Sequence, residues 1–187
     1  MKKALLIALT VLAAGLATTA PAATVERPVN LLLTGGNEQD MITVRLSLDG
    51  TSYLISSPAP LEAPSGICAH RDEAATALVC EAPSIASFEV NAGGGDDYII
   101  FSPKIPVAVT LRGGPGDDHL YGGTAADKLV GGPGDDSLHG RGGGDWAFGG
   151  PGSDVIYGGA GVDRLLGGPG ANEIYGGSGK NQILSGT

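Results

Sequence analysis

The chain has 187 residues, 33 of them glycine, and a formal net charge of −9 at pH 7. This length fits one or two small domains. The acidic balance argues against a nucleic-acid partner, because no basic patch is offered to phosphates. After the N-terminus, no apolar run is long enough to span a bilayer, so no membrane span is expected either.

The segment Met1–Ala23 has the pattern of a secretory signal peptide. Lys2 and Lys3 precede the apolar run ALLIALTVLAAGL, and Ala20–Ala22 forms an A-x-A-type cleavage site. The mature chain is therefore expected to begin at Ala23 or nearby and to be secreted, to the extracellular space or the cell surface. A short membrane anchor is the alternative.

Residues 24–91 predict a small β module. The runs MITVRLSL and TSYLIS alternate on either side of Asp49-Gly50, which is a strong hairpin signal. Further short strands are expected at 29–34, 76–82 and 84–90. The module would cap one end of the repeat region that follows it, since solenoid ends need capping.

The only two cysteines, Cys68 and Cys80, fall within this module. In an exported chain, such a pair favours a disulfide, which would contribute roughly 3 kcal/mol on chain-entropy grounds. Two free thiols remain the alternative.

Residues 113–184 form eight consecutive nine-residue units: GGPGDDHLY, GGTAADKLV, GGPGDDSLH, GRGGGDWAF, GGPGSDVIY, GGAGVDRLL, GGPGANEIY and GGSGKNQIL. Position 1 is always glycine, position 6 is aspartate in six units and asparagine in two, and position 8 is always aliphatic. A fixed repeat of this kind indicates a repeat architecture. A disordered glycine-rich linker is disfavoured, because such linkers lack regularly placed aliphatic residues.

Each unit predicts a turn followed by a strand of three residues. Glycine at positions 1, 2 and 4 allows left-handed backbone conformations, so the turn can direct carbonyl groups inward. Aspartate at position 6 adds a carboxylate, and carboxylate and carbonyl oxygens are the ligands that Ca²⁺ takes. In the strand, position 8 faces the core and positions 7 and 9 face outward.

A second period doubles the first, because proline recurs at position 3 of every other unit. Two units, or eighteen residues, therefore make one turn of a coil, and the loops of alternate units stack. Asp118, Asp136 and Asp154 are expected along one edge, and a second edge carries Asp127, Asp145 and Asp163. A cation between stacked loops would be shared by two carboxylates.

Two earlier stretches echo the repeat. AGGGDDYII, residues 92–100, places Asp97 at position 6, so Asp97 is predicted to be the first member of the proline-bearing edge. GGNEQDMIT, residues 35–43, places Asp40 there, but no matching loop follows at a distance of one turn in sequence. Asp40 is therefore expected to lie outside the stack and not to be a ligand.

The units resemble the RTX (repeats-in-toxin) nonapeptide GGxGxDxUx. This resemblance implies a parallel β-roll that binds several Ca²⁺ ions. The predicted fold is thus all-β, with a roll over residues 92–187 capped by the module at 24–91. The implied metal ligands are the position-6 aspartates and loop carbonyls near Gly114, Gly116, Gly132, Gly134, Gly150, Gly152, Gly159 and Gly161. Proteins of this family usually carry a C-terminal export signal, but only three residues follow the last repeat here, so the general secretory route is expected instead.

The sites are not expected to be equal. Asn172 and Asn181 occupy position 6 in the last turn and bring no charge, so they are predicted to be weaker ligands. The last turn is therefore expected to fray at low Ca²⁺. Ala125 and Arg141 interrupt the consensus around Asp127, so the Asp127/Asp145 site is expected to be compromised.

No motif for a zinc protease, a serine hydrolase or a phosphate loop occurs. We therefore expect a non-enzymatic structural or adhesive module; a secreted hydrolase with the roll as an accessory domain is the alternative. Outward-facing ladders run along both sheets and indicate either a surface for an unidentified partner or side chains that stack. One ladder is Val130, Phe148, Leu166 and Leu184, and the other is Tyr121, His139, Tyr157 and Tyr175.

Overall fold

A computed structural model of the protein describes residues 10–11, 29–57, 68–70, 77–81 and 85–186. Apart from Thr10–Val11, the predicted signal peptide lies outside these residues. The strands are β1 (Thr10–Val11), β2 (Val29–Thr34), β3 (Met41–Leu46), β4 (Ser52–Ser56), β5 (Cys68–His70), β6 (Ala77–Glu81), β7 (Ile85–Asn91), β8 (Tyr98–Phe101), β9 (Val109–Arg112), β10 (His119–Tyr121), β11 (Lys128–Val130), β12 (Ser137–Gly142), β13 (Trp146–Phe148), β14 (Val155–Ala160), β15 (Arg164–Leu166), β16 (Glu173–Ser178) and β17 (Gln182–Leu184). The described residues contain no helix with the length and apolarity needed to cross a membrane.

The strands form two sheets that face each other across one core. One sheet has the order β1-β2-β7-β9-β11-β13-β15-β17, and the other has the order β16-β14-β12-β10-β8-β3-β4-β6-β5. Within the repeats, neighbouring strands are parallel and in register from one turn to the next, as in the pair Leu120↔Leu138. The predicted all-β fold, a parallel β-solenoid with 18 residues per turn, is confirmed, with about five turns.

The N-terminal strands continue both sheets. Strands β2 and β7 pair in parallel and lead into β9, while β3 pairs in parallel with β8. Strands β4, β6 and β5 run antiparallel and finish one sheet, and β1 pairs antiparallel with β2 at the end of the other. The predicted hairpin is confirmed, with Gly50 at φ 74° in its turn. The predicted disulfide Cys68–Cys80 is also confirmed. The division at residue 91 stays a prediction.

The core is a single cluster that runs through the N-terminal strands and the repeats. Position 8 supplies it as predicted, with side chains that are at most 1% exposed at Leu120, Leu129, Leu138, Ala147, Ile156 and Leu165. In the N-terminal part, the ring of Phe88 makes edge contacts with Tyr53 and Phe101, at centroid distances of 5.0 and 5.2 Å. In the last turn Ile174 is only partly buried and Ile183 is 47% exposed.

Strand length differs from the prediction in three of the eight units. The expected three-residue strands occur in β10, β11, β13, β15 and β17, but β12, β14 and β16 have six residues. The longer strands continue into position 3 of units that lack proline there. Proline has no backbone N–H to donate to a ladder, so the strands end earlier wherever a proline-bearing loop follows.

Outward-facing rings stack along the second sheet. The rings of Tyr121, His139, Tyr157 and Tyr175 follow one another at centroid distances of 4.4, 4.6 and 4.9 Å, with planes within 11° of parallel. This spacing matches the separation of neighbouring strands, about 4.8 Å, so the ladder is explained by the register of the turns. On the other sheet, the Lys128 ammonium lies 4.8 Å from the ring centroid of Trp146.

Candidate calcium-binding ladders

The loops that precede the strands have the predicted left-handed backbone at positions 2 and 4, but the prediction is wrong for position 1, where glycines such as Gly131 do not have positive φ. All eight glycines implied as carbonyl ligands have positive φ, for example 138° at Gly132 and 142° at Gly134. A Cβ on Gly132 would overlap the carbonyl oxygen of Gly114, and one on Gly134 would overlap that of Gly116. Glycine is therefore favoured at positions 2 and 4, because the carbonyl groups of the preceding turn point at the place where a Cβ would lie.

The position-6 side chains form two ladders, one on each edge of the roll. The first ladder contains Asp97, Asp118, Asp136, Asp154 and Asn172, and the second contains Asp127, Asp145, Asp163 and Asn181. Within each ladder, one side-chain oxygen accepts a hydrogen bond from a backbone N–H one turn earlier. Asp136, for example, accepts from the N–H of Asp118 at 2.9 Å, and Asp163 accepts from that of Asp145 at 2.9 Å. The predicted stacking of both edges is confirmed by these bonds.

The second carboxylate oxygen of most ladder members has no donor. These aspartates are at most 2% exposed. Their Oδ2 atoms are buried and accept no hydrogen bond, and this holds for Asp97, Asp118, Asp136, Asp145, Asp154 and Asp163. A buried carboxylate oxygen without a partner is costly, because it loses its hydration without replacement.

The pKa values of several of these buried carboxyl groups are raised. Burial raises the pKa of Asp136 to about 8, and the neighbouring carboxylates of Asp118 and Asp154 act in the same direction. Burial likewise raises the pKa of Asp118 and of Asp145 to about 7, and that of Asp97 to about 6. A cation held between the loops would remove this penalty by compensating the charge.

Asp127 differs from the other ladder members, because both of its oxygens have donors. Oδ1 accepts from the N–H of Val109 at 2.9 Å, and Oδ2 accepts from the N–H of Gly123 at 2.7 Å. In its loop neither Gly123 nor Ala125 has positive φ, so an N–H group points at the carboxylate. That Asp127 is a ligand stays a prediction, and the two donors are a physical reason to expect the Asp127/Asp145 site to be compromised.

Asn172 shows what the unpaired oxygens face. Its Oδ1 accepts from the N–H of Asp154, as an aspartate would, at 2.9 Å. Its Nδ2 therefore takes the place of Oδ2, and it donates to the carbonyl oxygens of Gly168 at 2.9 Å and Ser185 at 3.1 Å. In the aspartate loops an oxygen stands there instead, among other oxygens. The nitrogen of Asn172 offers no electron pair to a cation, and the role of Asn172 as a weak ligand stays a prediction.

A third row of carboxylates lies at position 5 of the proline-bearing edge, and it was not among the predicted ligands. Asp96 accepts from the N–H of Asp117 at 3.0 Å, and Asp117 accepts from that of Asp135 at 2.8 Å. The position-5 side chains accept from the following turn, whereas the position-6 side chains accept from the preceding turn. Asp117 and Asp136 therefore enter the gap between the same two turns from opposite sides. The charge of Asp117 accordingly helps to raise the pKa of Asp136. The recurrence of aspartate at position 5 is the sequence signal for this row.

The expectation that Asp40 lies outside the stack is wrong. Asp40 is 1% exposed, and its N–H donates to Oδ1 of Asp97 at 2.7 Å. Its loop also stacks, since the N–H of Gly94 donates to the carbonyl oxygen of Gly36 at 2.7 Å. Because the module strands intervene, Asp40 and Asp97 are far apart in sequence, and a search at the distance of one turn could not pair them. One oxygen of Asp40, Oδ1, also has no donor.

The donor set fits Ca²⁺. Among the described residues, no group of three or more His, Cys, Asp or Glu side chains is placed to hold a metal ion. A site would therefore combine carboxylates of stacked loops with backbone carbonyl oxygens, an all-oxygen set that suits Ca²⁺ better than Zn²⁺ or Cu²⁺. The unpaired oxygens and the side-chain-free positions 2 and 4 supply both parts of such a set.

Comparison with known protein families agrees with this geometry. The family described as RTX calcium-binding nonapeptide repeat matches residues 110–138, 139–174 and 157–187. No significant match was found among curated proteins or among solved structures. Repeats of this family bind several Ca²⁺ ions between turns. Residues 110–187 thus match the RTX calcium-binding repeats and form part of a β-solenoid with 18 residues per turn.

Proposed function

We propose that the protein is a secreted, non-enzymatic module whose roll is held together by Ca²⁺ between stacked loops. The ligands in this proposal are the unpaired oxygens of Asp97, Asp118, Asp136, Asp145, Asp154 and Asp163, together with carbonyl oxygens of positions 2 and 4. The observation that carries the proposal is the set of six buried carboxylate oxygens that have no donor. Asn172 supports it, because an amide nitrogen at the same place bonds to carbonyl oxygens.

Ca²⁺ supplies positive charge to each gap and accepts electron pairs from both loops. The residues of this chain provide the rest. Left-handed glycines such as Gly132 and Gly134 aim their carbonyl groups along the stack, and each aspartate spans the gap to the preceding turn. A bound ion therefore links two turns, so binding and folding of the roll are coupled.

Secretion is the part of the proposal that rests on the N-terminal sequence and the disulfide. Met1–Ala23 has the signal-peptide pattern, and the Cys68–Cys80 bond is of the kind that persists in oxidising compartments. Outside the cell, sites with dissociation constants on the order of 10⁻⁴ M remain filled. N-terminal sequencing of the exported protein tests this part. A start at or near Ala23 supports it, and retention of Met1 in a cell-bound protein contradicts it.

The calcium proposal is tested on the mature chain by calorimetric titration with far-UV circular dichroism recorded alongside. We expect Ca²⁺ to bind and the β signal to rise from chelator to millimolar Ca²⁺, whereas Mg²⁺ should have little effect because it demands tighter octahedral geometry. Asp136→Asn is the matched variant, since it keeps size and the bond to the Asp118 N–H but loses the free oxygen. An unchanged titration in this variant, or the same β content in chelator as in Ca²⁺, would contradict the proposal.

A further inference from the structure

Arg141 occupies a position that the repeat reserves for glycine. It is position 2 of the fourth unit, and its φ of 77° makes it the one non-glycine with positive φ among the described residues. Its backbone plays the usual part, since a Cβ on Gly159, one turn later, would overlap the Arg141 carbonyl oxygen. An arginine in this strained conformation needs contacts that compensate for the strain.

The side chain of Arg141 provides such contacts by turning back toward the N-terminal end of the roll. Its Nη1 donates to the carbonyl oxygen of Gly122 at 2.8 Å and also to that of Phe101, which lies one turn further back. The guanidinium lies 5.3 Å from the ring centroid of Tyr121. A cation is therefore held against two stacked carbonyl groups, which is the kind of contact that a metal ion makes.

The carbonyl group of Gly122 lacks the donor that regular turns provide. In a regular turn the position-1 carbonyl accepts from the position-2 N–H one turn earlier, as Gly149 accepts from Gly132 at 2.9 Å. For the Gly122 carbonyl, the residue one turn earlier that should donate is Ser102. The N–H of Ser102 donates to the carbonyl oxygen of Val44 instead. Residues 102–108 depart from the repeat and bring no aspartate to this edge. The gap between these residues and the loop that contains Gly122 therefore has neither the regular hydrogen bond nor a carboxylate from the earlier turn.

The carboxylate above this gap is also satisfied without a metal. Asp127 accepts from the N–H groups of Val109 and Gly123, so no oxygen is left over. In every later aspartate of the second ladder, Asp145 and Asp163, Oδ2 lacks a donor. The difference between Asp127 and these two coincides with the place where the guanidinium lies.

We propose that Arg141 is a built-in cation that replaces Ca²⁺ at the start of the second ladder. Its guanidinium, the carbonyl groups of Phe101 and Gly122, and the self-satisfied loop of Asp127 form a junction that needs no metal. The Ca²⁺-dependent turns of this edge then begin at Asp145. The contrast between this junction and the later, Ca²⁺-dependent turns rests on the proposed calcium function. The contacts of the junction itself exist in the metal-free protein.

The matched variants are Arg141→Lys and Arg141→Gln. Both keep a side chain at φ 77° and a nitrogen donor, but only Lys keeps the charge. Arg164→Gln is the control, because it removes the same charge from an exposed residue of β15. The measurement is amide hydrogen exchange on the mature chain in chelator, read at Val109 and Gly123, which bond to Asp127, and at Asp145, which bonds to Asp163.

In chelator the parent protein should protect Val109 and Gly123 and lose protection at Asp145. Arg141→Gln should speed exchange at Val109 and Gly123 by at least about tenfold, while Arg141→Lys and Arg164→Gln should stay near the parent. Equal exchange in Arg141→Gln and the parent, or an equal effect of Arg164→Gln, would overturn the proposal. Absence of protection at Val109 and Gly123 in the parent would overturn it as well.

Arg141→Gly is a second test, because two explanations of Arg141 predict opposite shifts in the Ca²⁺ concentration at which half of the protein is folded. If Arg141 were only a strained residue, glycine would relieve the strain and lower the Ca²⁺ concentration at half-folding. As a built-in cation, its loss should raise that concentration, measured by circular dichroism. A lowered or unchanged midpoint would overturn the proposal. Failure of the parent protein to bind Ca²⁺ would instead defeat the calcium function, and the exchange experiment in chelator would still decide on the junction.

Discussion

Asn172→Asp should destabilise the protein at the lowest Ca²⁺ concentration that keeps the roll folded, and should have little net effect in excess Ca²⁺. The substitution replaces Nδ2, which donates to the carbonyl oxygens of Gly168 and Ser185, with a carboxylate oxygen. Two hydrogen bonds of about 1 kcal/mol each are lost, and an anion is placed among carbonyl groups. At the lowest Ca²⁺ concentration that keeps the roll folded, we therefore expect a loss of about 2–3 kcal/mol in the free energy of unfolding.

In Ca²⁺ the same substitution should create a site. With a dissociation constant on the order of 10⁻⁴ M, ~10 mM free Ca²⁺ is about 100-fold above it, and one added ion stabilises the folded state by about 2.7 kcal/mol. The gain should offset most or all of the loss seen at the lower Ca²⁺ concentration. Calorimetric titration should count one ion more than in the parent protein.

The reverse variant is Asp154→Asn, one turn earlier in the same ladder. Asp154 has an Oδ2 without a donor, and asparagine there should supply a donor as Asn172 does. We expect one ion fewer and a smaller loss of stability on adding chelator. The reasoning would be refuted if Asn172→Asp bound no further ion, or if it destabilised the protein equally at the lower Ca²⁺ concentration and in excess Ca²⁺.

Three further predictions concern ligand rank, pH and the disulfide. Asp136→Ala should remove more Ca²⁺ than Asp127→Ala in equilibrium dialysis, because Asp136 has a free oxygen and Asp127 has none; equal losses would contradict this. In chelator, the melting temperature should fall as the pH rises from 5 to 8. The folded-state pKa of Asp136 is raised to about 8 and that of Asp118 to about 7. The stability that these protonated groups give at low pH is therefore lost as the pH rises through these values. With Ca²⁺ present the trend should reverse, since protons compete with the ion at pH 5, and a melting temperature independent of pH in chelator would contradict the burial of these groups. Replacing Cys68 and Cys80 with alanine should cost about 3 kcal/mol in urea unfolding at saturating Ca²⁺, and an unchanged midpoint would contradict a stabilising role.

The repeat itself made most of the roll predictable. A fixed period of nine, with proline in every second unit, determines which loops stack, and the bond from Asp118 to Asp136 follows from that register. Position 8 is buried for the same reason. These features are local and recur, so each unit repeats the evidence of the others.

The parts that escaped prediction depend on contacts between units that are not equivalent. Asp40 stacks on Asp97 across a long separation in sequence, which is set by the path of the module and not by the repeat. The sequence marks Arg141 as a cation in a loop, but not that its side chain turns back to Phe101. The amide of Asn172 could have been either ligand or donor, and only the neighbouring N–H of Asp154 decides which atom faces inward.

The continuity of the two sheets has a consequence for proteolytic trimming. If the chain were cut after Asn91, two strands of the roll would lose a hydrogen-bonded neighbour. Strand β8 would lose β3, and β9 would lose β7. Their backbone groups would then be unpaired, and apolar side chains that are now fully buried, such as Phe101 and Leu111, would be uncovered. Open strand edges beside an apolar surface invite pairing with another chain. A protease that removed the first strands would therefore release a fragment prone to self-association, even with all of its calcium loops intact.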